Sequence, residues 1–100
     1  MVLMRATTSV VFRAYPNRIA IPKVGTRRAL VRFAEGKAFD ISKITASPDV
    51  TIEIPPRIDK SYCWLVCQRS QSWEGLRNVR IEAIQDGKPY ETSLIVESED

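Results

Sequence analysis

The chain has 100 residues, of which 44% are hydrophobic and 27% charged, with a net charge of +3 and no histidine. This is the size and composition of one ordinary soluble domain with a single core. Without histidine there is no Ser-His or Cys-His nucleophile pair and no imidazole metal ligand, which excludes the commonest hydrolase and metalloenzyme designs.

Short segments of alternating apolar and polar residues follow one another along the chain, which is typical of β-strands. Turn residues separate them at the interval of about 8–12 residues that is typical of a β-sandwich. No stretch shows the apolar spacing of a helix. The predicted strands cover residues 8–14, 18–21, 28–34, 38–45, 50–54, 61–67, 79–84 and 89–96.

Alternation also predicts details of the fourth and fifth strands. Ile41 and Ile44 are three positions apart, which breaks the period of two and predicts a bulge or a bend. Val50, Ile52 and Ile54 alternate with polar residues, so we expect all three to face the core.

The sixth predicted strand is apolar on both faces, as expected for a central strand that is covered on either side or lies near another domain. We therefore expect Trp64 in the core. In a regular strand, the Cα atoms of Cys63 and Cys67 would be about 13 Å apart, beyond the roughly 7 Å limit of a disulfide. The pair also lacks the other two ligands of a zinc site, so we predict buried free thiols and no metal.

Asp86 and Gly87 separate the last two predicted strands. Asp-Gly between alternating runs is a strong hairpin signal, because a type I′ turn needs positive φ at both central positions. Residues 68–77, before this hairpin, are expected to form a longer polar connection. The predicted fold is an all-β, immunoglobulin-like antiparallel sandwich of about seven to eight strands over residues 8–97, followed by an acidic tail at 98–100.

Six short signatures follow one another in a recognisable order. They are Pro16–Ile21, Val24-Gly25, Leu30–Arg32, Lys37–Ile44, Val79–Glu82 and Gly87–Tyr90. This succession resembles the major-sperm-protein-like, Hydin-type immunoglobulin sandwich, and most of all its bacterial version, found often in tandem in exported proteins of unknown function, notably in planctomycetes. The likeness covers roughly residues 8–97.

The resemblance implies a binding or spacer module without enzymatic activity or cofactor. In tandem members, the segment before the Pro-x-Arg-Ile signature is the last strand of the preceding domain. Residues 8–14 are therefore either such a strand or the first strand of this domain. The chain departs from the family in lacking the aromatic-Pro ending of the sixth strand, and it lacks the long-spaced Cys…Trp…Cys of antibody domains, so no core disulfide is implied.

The sequence narrows the cellular location of the chain to two alternatives. Residues 1–7 lack the apolar core of a secretory signal, and no segment has the roughly 18 consecutive apolar residues of a membrane span. The chain is expected to be either cytoplasmic or a piece of a longer exported protein, and the resemblance favours the periplasm or cell envelope.

Large aromatic side chains are the residues best suited to recognition, because they combine apolar area with a polar group. The candidates are Tyr15, Tyr62, Trp64, Trp73 and Tyr90. Trp73 lies in the polar connection, where exposure and core packing are both open. Together with Arg69 and Arg77 it forms the candidate interaction patch, since loops often contain the functional residues of a scaffold.

Charge is unevenly distributed, because residues 1–50 contain nine basic and three acidic side chains and residues 51–100 contain six and nine. This pattern indicates either solvated strand faces or an anion-binding surface. The residues of such a surface would be Arg13, Arg18, Arg27, Arg28 and Arg32.

The leading hypothesis is a non-catalytic interaction or spacer module of a larger bacterial protein. Its partner would be a protein or a neighbouring domain, and an exposed sheet edge would allow self-association. Binding of an anion or nucleic acid is the alternative. The acidic residues of the strands fall at outward positions, so we predict no catalytic residue among them. The absence of a cofactor is what the resemblance implies.

Overall fold

A computed structural model of the protein describes residues 12–99 and contains eight strands in that range. The strands are β1 (Phe12–Tyr15), β2 (Arg18–Pro22), β3 (Arg27–Phe33), β4 (Asp40–Thr45), β5 (Val50–Glu53), β6 (Tyr62–Arg69), β7 (Leu76–Gln85) and β8 (Lys88–Glu99). They form two four-stranded sheets: sheet A in the order β1-β3-β6-β5 and sheet B in the order β2-β8-β7-β4. The prediction of an all-β, two-layer sandwich is confirmed.

Strand pairing is antiparallel in every pair except one, since β2 lies parallel to β8. Two residues, Pro16 and Asn17, separate β1 from β2, yet β1 joins sheet A and β2 joins sheet B. The carbonyl of Asn17 accepts a 2.9 Å hydrogen bond from the N–H of Ile95, which fixes the start of β2 beside β8. The prediction of a wholly antiparallel sandwich is wrong for this pair, because residue alternation contains no information on strand direction.

The core lies between the sheets and is aromatic at one end. Phe12, Phe33 and Phe39 contact one another with ring centroids 4.7–5.4 Å apart, and Tyr90 meets the Phe33 ring edge-on at 4.9 Å. The remaining buried residues are mostly aliphatic. Each fully buried aliphatic or aromatic side chain contributes roughly 1.5–3 kcal/mol of transfer free energy, so this layer dominates stability.

Alternation correctly predicted most side-chain directions. The β4–β7 register shifts between Ile41 and Lys43, which confirms the predicted bulge. Val50 is buried and Ile52 is partly buried, as expected. Ile54, by contrast, is 36% exposed, because β5 ends at Glu53, one residue before it.

The closing hairpin is confirmed. Asp86 and Gly87 have φ angles of 57° and 74°, and Gln85 pairs with Lys88 across the turn. Both central residues thus have the positive φ that a type I′ turn requires.

The strands on both sides of the predicted long connection extend further than expected. β6 continues to Arg69 and β7 begins at Leu76, so the connection is residues 70–75 only. β8 includes Ser98 and Glu99, which pair with Ile21 and Pro22 instead of forming a tail. At the other end, residues 8–11 of the first predicted strand and Asp100 lie outside the described residues.

Within the described range, there is no helix of the length and apolar character needed to span a membrane.

Candidate functional site: the outer face of sheet A

The predicted patch of Arg69, Trp73 and Arg77 lies at one corner of the sandwich. The guanidinium of Arg77 stacks over the Trp73 ring, with its carbon 4.7 Å from the ring centroid. Arg77 Nη1 donates to the Asp49 carboxylate and, at 3.0 Å, to Ser47 Oγ. Trp73 is partly buried and packs against the core, so core packing accounts for it. Its Nε1 is buried without a hydrogen-bond partner among the described residues.

Arg69 is directed towards sheet B. Its Nε donates to the carbonyl of Ile21 at 2.8 Å and its Nη2 to the carbonyl of Glu99 at 2.6 Å. A third contact, from Nη1 to Ser72 Oγ, is 2.9 Å long. The structure therefore brings Trp73 and Arg77 into contact, while Arg69 joins the ends of β2 and β8. All three residues make intramolecular contacts.

A different surface, the outer face of sheet A, exposes large apolar side chains. Along β6, Cys63 and Leu65 are fully buried, whereas Tyr62 and Trp64 are 38% and 40% exposed. The prediction of Trp64 in the core is wrong. The sandwich has two layers, so no third layer within residues 12–99 covers the outward side chains of β6, although their composition resembles that of the inward ones.

Strand register arranges these side chains in rows. Tyr15 pairs with Leu30, and Leu30 pairs with Trp64, which gives one row across β1, β3 and β6. In the next row, Arg13 pairs with Arg32, and Arg32 pairs with Tyr62. Paired side chains of this kind lie about 5 Å apart at Cβ. Aromatic residues and arginines are therefore interleaved on one face of sheet A.

The five arginines of the predicted anion-binding surface divide between two environments. Arg18 and Arg27 pair with Glu97 and Glu99 at 2.9 and 3.3 Å. The other three are exposed on the outer face of sheet A and have no carboxylate partner within residues 12–99. These three are Arg13, Arg28 and Arg32.

Acidic side chains are scarce on this face. Glu53, next to Val66 in register, is the one carboxylate among the outward positions of the four described strands. The guanidinium carbon of Arg32 lies 5.6 Å from the centroid of the Tyr15 ring, which is a cation–π distance. The face combines exposed aromatic area with excess positive charge.

A small pocket borders the face where the chain leaves β5. It is lined by Pro55, Pro56, Arg57, Ile58, Asp59, Tyr62 and Trp64. Ile58 is fully exposed at its rim. Arg57 fixes the loop, since its guanidinium lies 4.6 Å from the centroid of the Phe39 ring and donates to the carbonyls of Lys60 and Tyr62 at 3.0 and 3.3 Å.

The two cysteines are free and buried, as predicted. Burial raises the pKa of the Cys67 thiol to about 11 and also raises the pKa of Cys63, where the nearby Arg57 and Lys60 charges oppose the effect. Thiols with raised pKa values are protonated at neutral pH and react slowly. Across residues 12–99, no three Cys, Asp or Glu side chains are grouped so that they could hold a metal ion.

Sequence reasoning named Tyr15, Tyr62 and Trp64 as recognition candidates but did not place them on one surface with the arginines. Alternation within each strand predicts whether a side chain points inwards or outwards. Which side chains form a row across the sheet depends on the order of the strands and on their register. The available signal is parity: Arg28 and Arg32 occupy even-numbered positions of β3, while the buried Ala29, Val31 and Phe33 occupy the odd-numbered ones.

No family model matches the chain, and the search of curated proteins finds no match. Among solved structures, the NMR structure of a protein from Bacteroides thetaiotaomicron is similar with a TM-score of 0.50 at 9% identity, covering 84% of this chain and 78% of that chain. At this identity the similarity concerns the fold alone, and it agrees with the two-sheet architecture.

Proposed function

We propose that the protein is a non-catalytic, immunoglobulin-like binding module that docks an acidic partner protein on the outer face of sheet A. The observation on which this proposal depends is the exposure of Tyr15, Tyr62 and Trp64 on one sheet, interleaved with three arginines that lack a carboxylate partner among the described residues. Trp, Tyr and Arg are the residues that contribute most to binding free energy at protein interfaces.

The partner's charge follows from the surface. The outward positions of sheet A include three arginines and one glutamate, so this face carries excess positive charge. An acidic partner surface would be attracted to it and would associate faster. The outer face of sheet B attracts an acidic partner less, because Arg18 and Arg80 there already pair with Glu97 and Glu91 at 2.9 Å each.

The face suits docking better than the sheet edges do. Within residues 12–99, the edge strand β5 of sheet A has four residues, β4 has the bulge, and β2 ends in Pro22. Short, bulged or proline-containing edges are the usual means by which proteins prevent added strands.

Capture experiments with matched variants test the proposal. The intact chain, Trp64→Ala and Ile84→Ala are each immobilised and exposed to nuclease-treated lysate. Ile84 is a fair control because it is apolar and 38% exposed, but lies on sheet B. We expect an acidic protein that is retained by the intact chain and by Ile84→Ala and is lost with Trp64→Ala. Equal retention by all three chains would refute the proposal.

Anion or nucleic-acid binding is the second candidate, favoured by Arg13, Arg28 and Arg32, since single-stranded nucleic acids bind to cationic surfaces with exposed aromatics. Salt separates the two candidates. Phosphate contacts weaken steeply with rising salt through counterion release, whereas docking centred on aromatic side chains weakens less. Tight, salt-sensitive binding of an oligothymidylate would favour the second candidate.

A further inference from the structure

We infer that the pocket beside Tyr62 and Trp64 receives one large apolar side chain from an extended, acidic segment of the partner. This inference rests on the proposed function and adds how the partner is recognised. Its basis is the position of a preformed apolar pocket at the border of the arginine-containing face.

The size of the pocket limits its occupant. Its volume is about 110 Å³. An apolar cavity of about 150 Å³ takes up a molecule as small as benzene, and pockets for drug-sized ligands have roughly 300–1,000 Å³. The pocket therefore fits the end of one aliphatic side chain, such as leucine, and is too small for a cofactor.

The walls of the pocket are held in place before any partner binds. Arg57 bonds the backbone at both Lys60 and Tyr62, and the N–H of Phe39 donates to the carbonyl of Lys60 at 3.0 Å. Asp59 Oδ1 accepts from the hydroxyl and the N–H of Ser61 at 2.6 and 2.8 Å. A loop that is already ordered loses little entropy on binding.

Charge next to the pocket selects the rest of the segment. Tyr62 lines the pocket and is also the last member of the Arg13–Arg32–Tyr62 row. An extended segment whose apolar residue fills the pocket and whose chain follows this row would place its neighbouring side chains over two arginines. Aspartate and glutamate are the side chains that match guanidinium groups there.

The same geometry favours a protein segment over a nucleic acid. Three arginines on this face supply fewer phosphate contacts than the 6–10 that give a nucleic-acid binder a strong salt dependence. Arg57 and Asp59 also line the pocket, but most of its lining is the two prolines, Ile58 and the two aromatics, which suit an apolar side chain better than the polar edge of a base.

A selection from random displayed peptides of about ten residues tests the inference, since that length can cross four strands at roughly 3.3 Å per residue. Enriched peptides are then titrated against the intact chain, Trp64→Ala, the double variant Arg13→Gln/Arg32→Gln, and Ile84→Ala as control. Far-UV circular dichroism of each variant verifies that it is folded. Oligothymidylate is the competitor.

We expect enriched peptides with an excess of Asp and Glu around a single large apolar residue. Their affinity should fall about tenfold or more in Trp64→Ala, as for an interface hot spot, and about fivefold or more in the double arginine variant, while Ile84→Ala binds unchanged.

Acidic peptides that need Trp64 and the two arginines but share no large apolar residue would overturn the inference and leave the proposed function intact. Neutral or basic peptides, or peptides that bind the arginine variant equally well, would contradict both. Peptides that bind Trp64→Ala normally, or no enrichment at all, would contradict both. Displacement of the peptides by oligothymidylate at low concentration would assign the face to nucleic acid instead.

Discussion

At the residue scale, the corner formed by Trp73, Arg77 and Asp49 shows how one arginine stabilises several segments. Arg77 is the second residue of β7. Its guanidinium stacks over the Trp73 ring and donates to Asp49 in the turn before β5. Its side chain is 33% exposed and that of Asp49 is 20% exposed. An ion pair with this much burial loses more when one partner is removed than an exposed pair does.

We therefore expect Arg77→Ala to lower the free energy of unfolding by about 2 kcal/mol, through loss of the ion pair and of the cation–π contact. Arg80→Ala is the control, because Arg80 and Glu91 are both more than half exposed and such pairs contribute about 1 kcal/mol or less. Urea denaturation of both variants gives the two values. Equal effects would mean that the corner contributes no more than a surface pair.

The buried thiol of Cys67 makes stability depend on pH. Its pKa of about 11 in the folded chain exceeds the reference value of 9.0 because of burial. The folded state thus holds this proton more tightly, so the contribution is complete below about pH 9 and is lost as pH rises towards 11. At about 1.36 kcal/mol per pKa unit, the loss is about 2–3 kcal/mol.

Cys67→Ala should be less stable than the intact chain at neutral pH but should lose less stability between pH 9 and 11, the interval between the two pKa values. Denaturation midpoints measured across this interval give the difference. Parallel curves for the two proteins would show that Cys67 ionises equally easily in the folded and unfolded states.

At the element scale, β6 contributes alternate side chains to the core and to the exposed outer face of sheet A. Its inward side chains, including Leu65, fill the core, while Trp64 faces outwards at 40% exposure. The sequence predicted the strand and its buried cysteines, but it could not predict that one face is uncovered, because apolar content is the same on both faces. That distinction depends on the number of layers.

Substitutions at adjacent positions of β6 should therefore differ sharply. Leu65→Ala is expected to cost about 2–5 kcal/mol of stability, as for other buried leucines. Trp64→Ala should cost no more than about 1 kcal/mol, since surface substitutions have small effects. Thermal or urea unfolding measures both, and a loss of several kcal/mol for Trp64→Ala would mean that its ring supports the fold.

The β7–β8 hairpin is the element that sequence specified best, because Asp86-Gly87 requires a particular backbone conformation. Gly87 has a φ of 74°, which costs an alanine roughly 1–2 kcal/mol. We expect that loss for Gly87→Ala and little change for Asp86→Asn, because Asn-Gly suits the same turn. Similar unfolding midpoints for Gly87→Ala and the intact chain would contradict the assigned turn.

At the scale of the whole molecule, the topology brings together residues that sequence reasoning kept apart. Tyr15, Arg32 and Trp64 belong to three strands and become neighbours through the β1-β3-β6 order of sheet A. Conversely, Arg18 is close to Arg13 in sequence but lies on the other sheet, paired with Glu97. Strand order and register result from packing of the complete chain, so local patterns could predict the elements but not this surface.

The most direct measurement of the central claim is site-specific photo-crosslinking in cells that make the protein. A photo-reactive phenylalanine analogue replaces Gln68 on the outer face of sheet A in one chain and Ile84 on sheet B in another, because both positions are exposed and neither is a proposed binding residue. We expect a crosslink to an acidic protein from position 68 and none to that protein from position 84. The same crosslink from both positions, or from position 84 alone, would contradict docking on the outer face of sheet A.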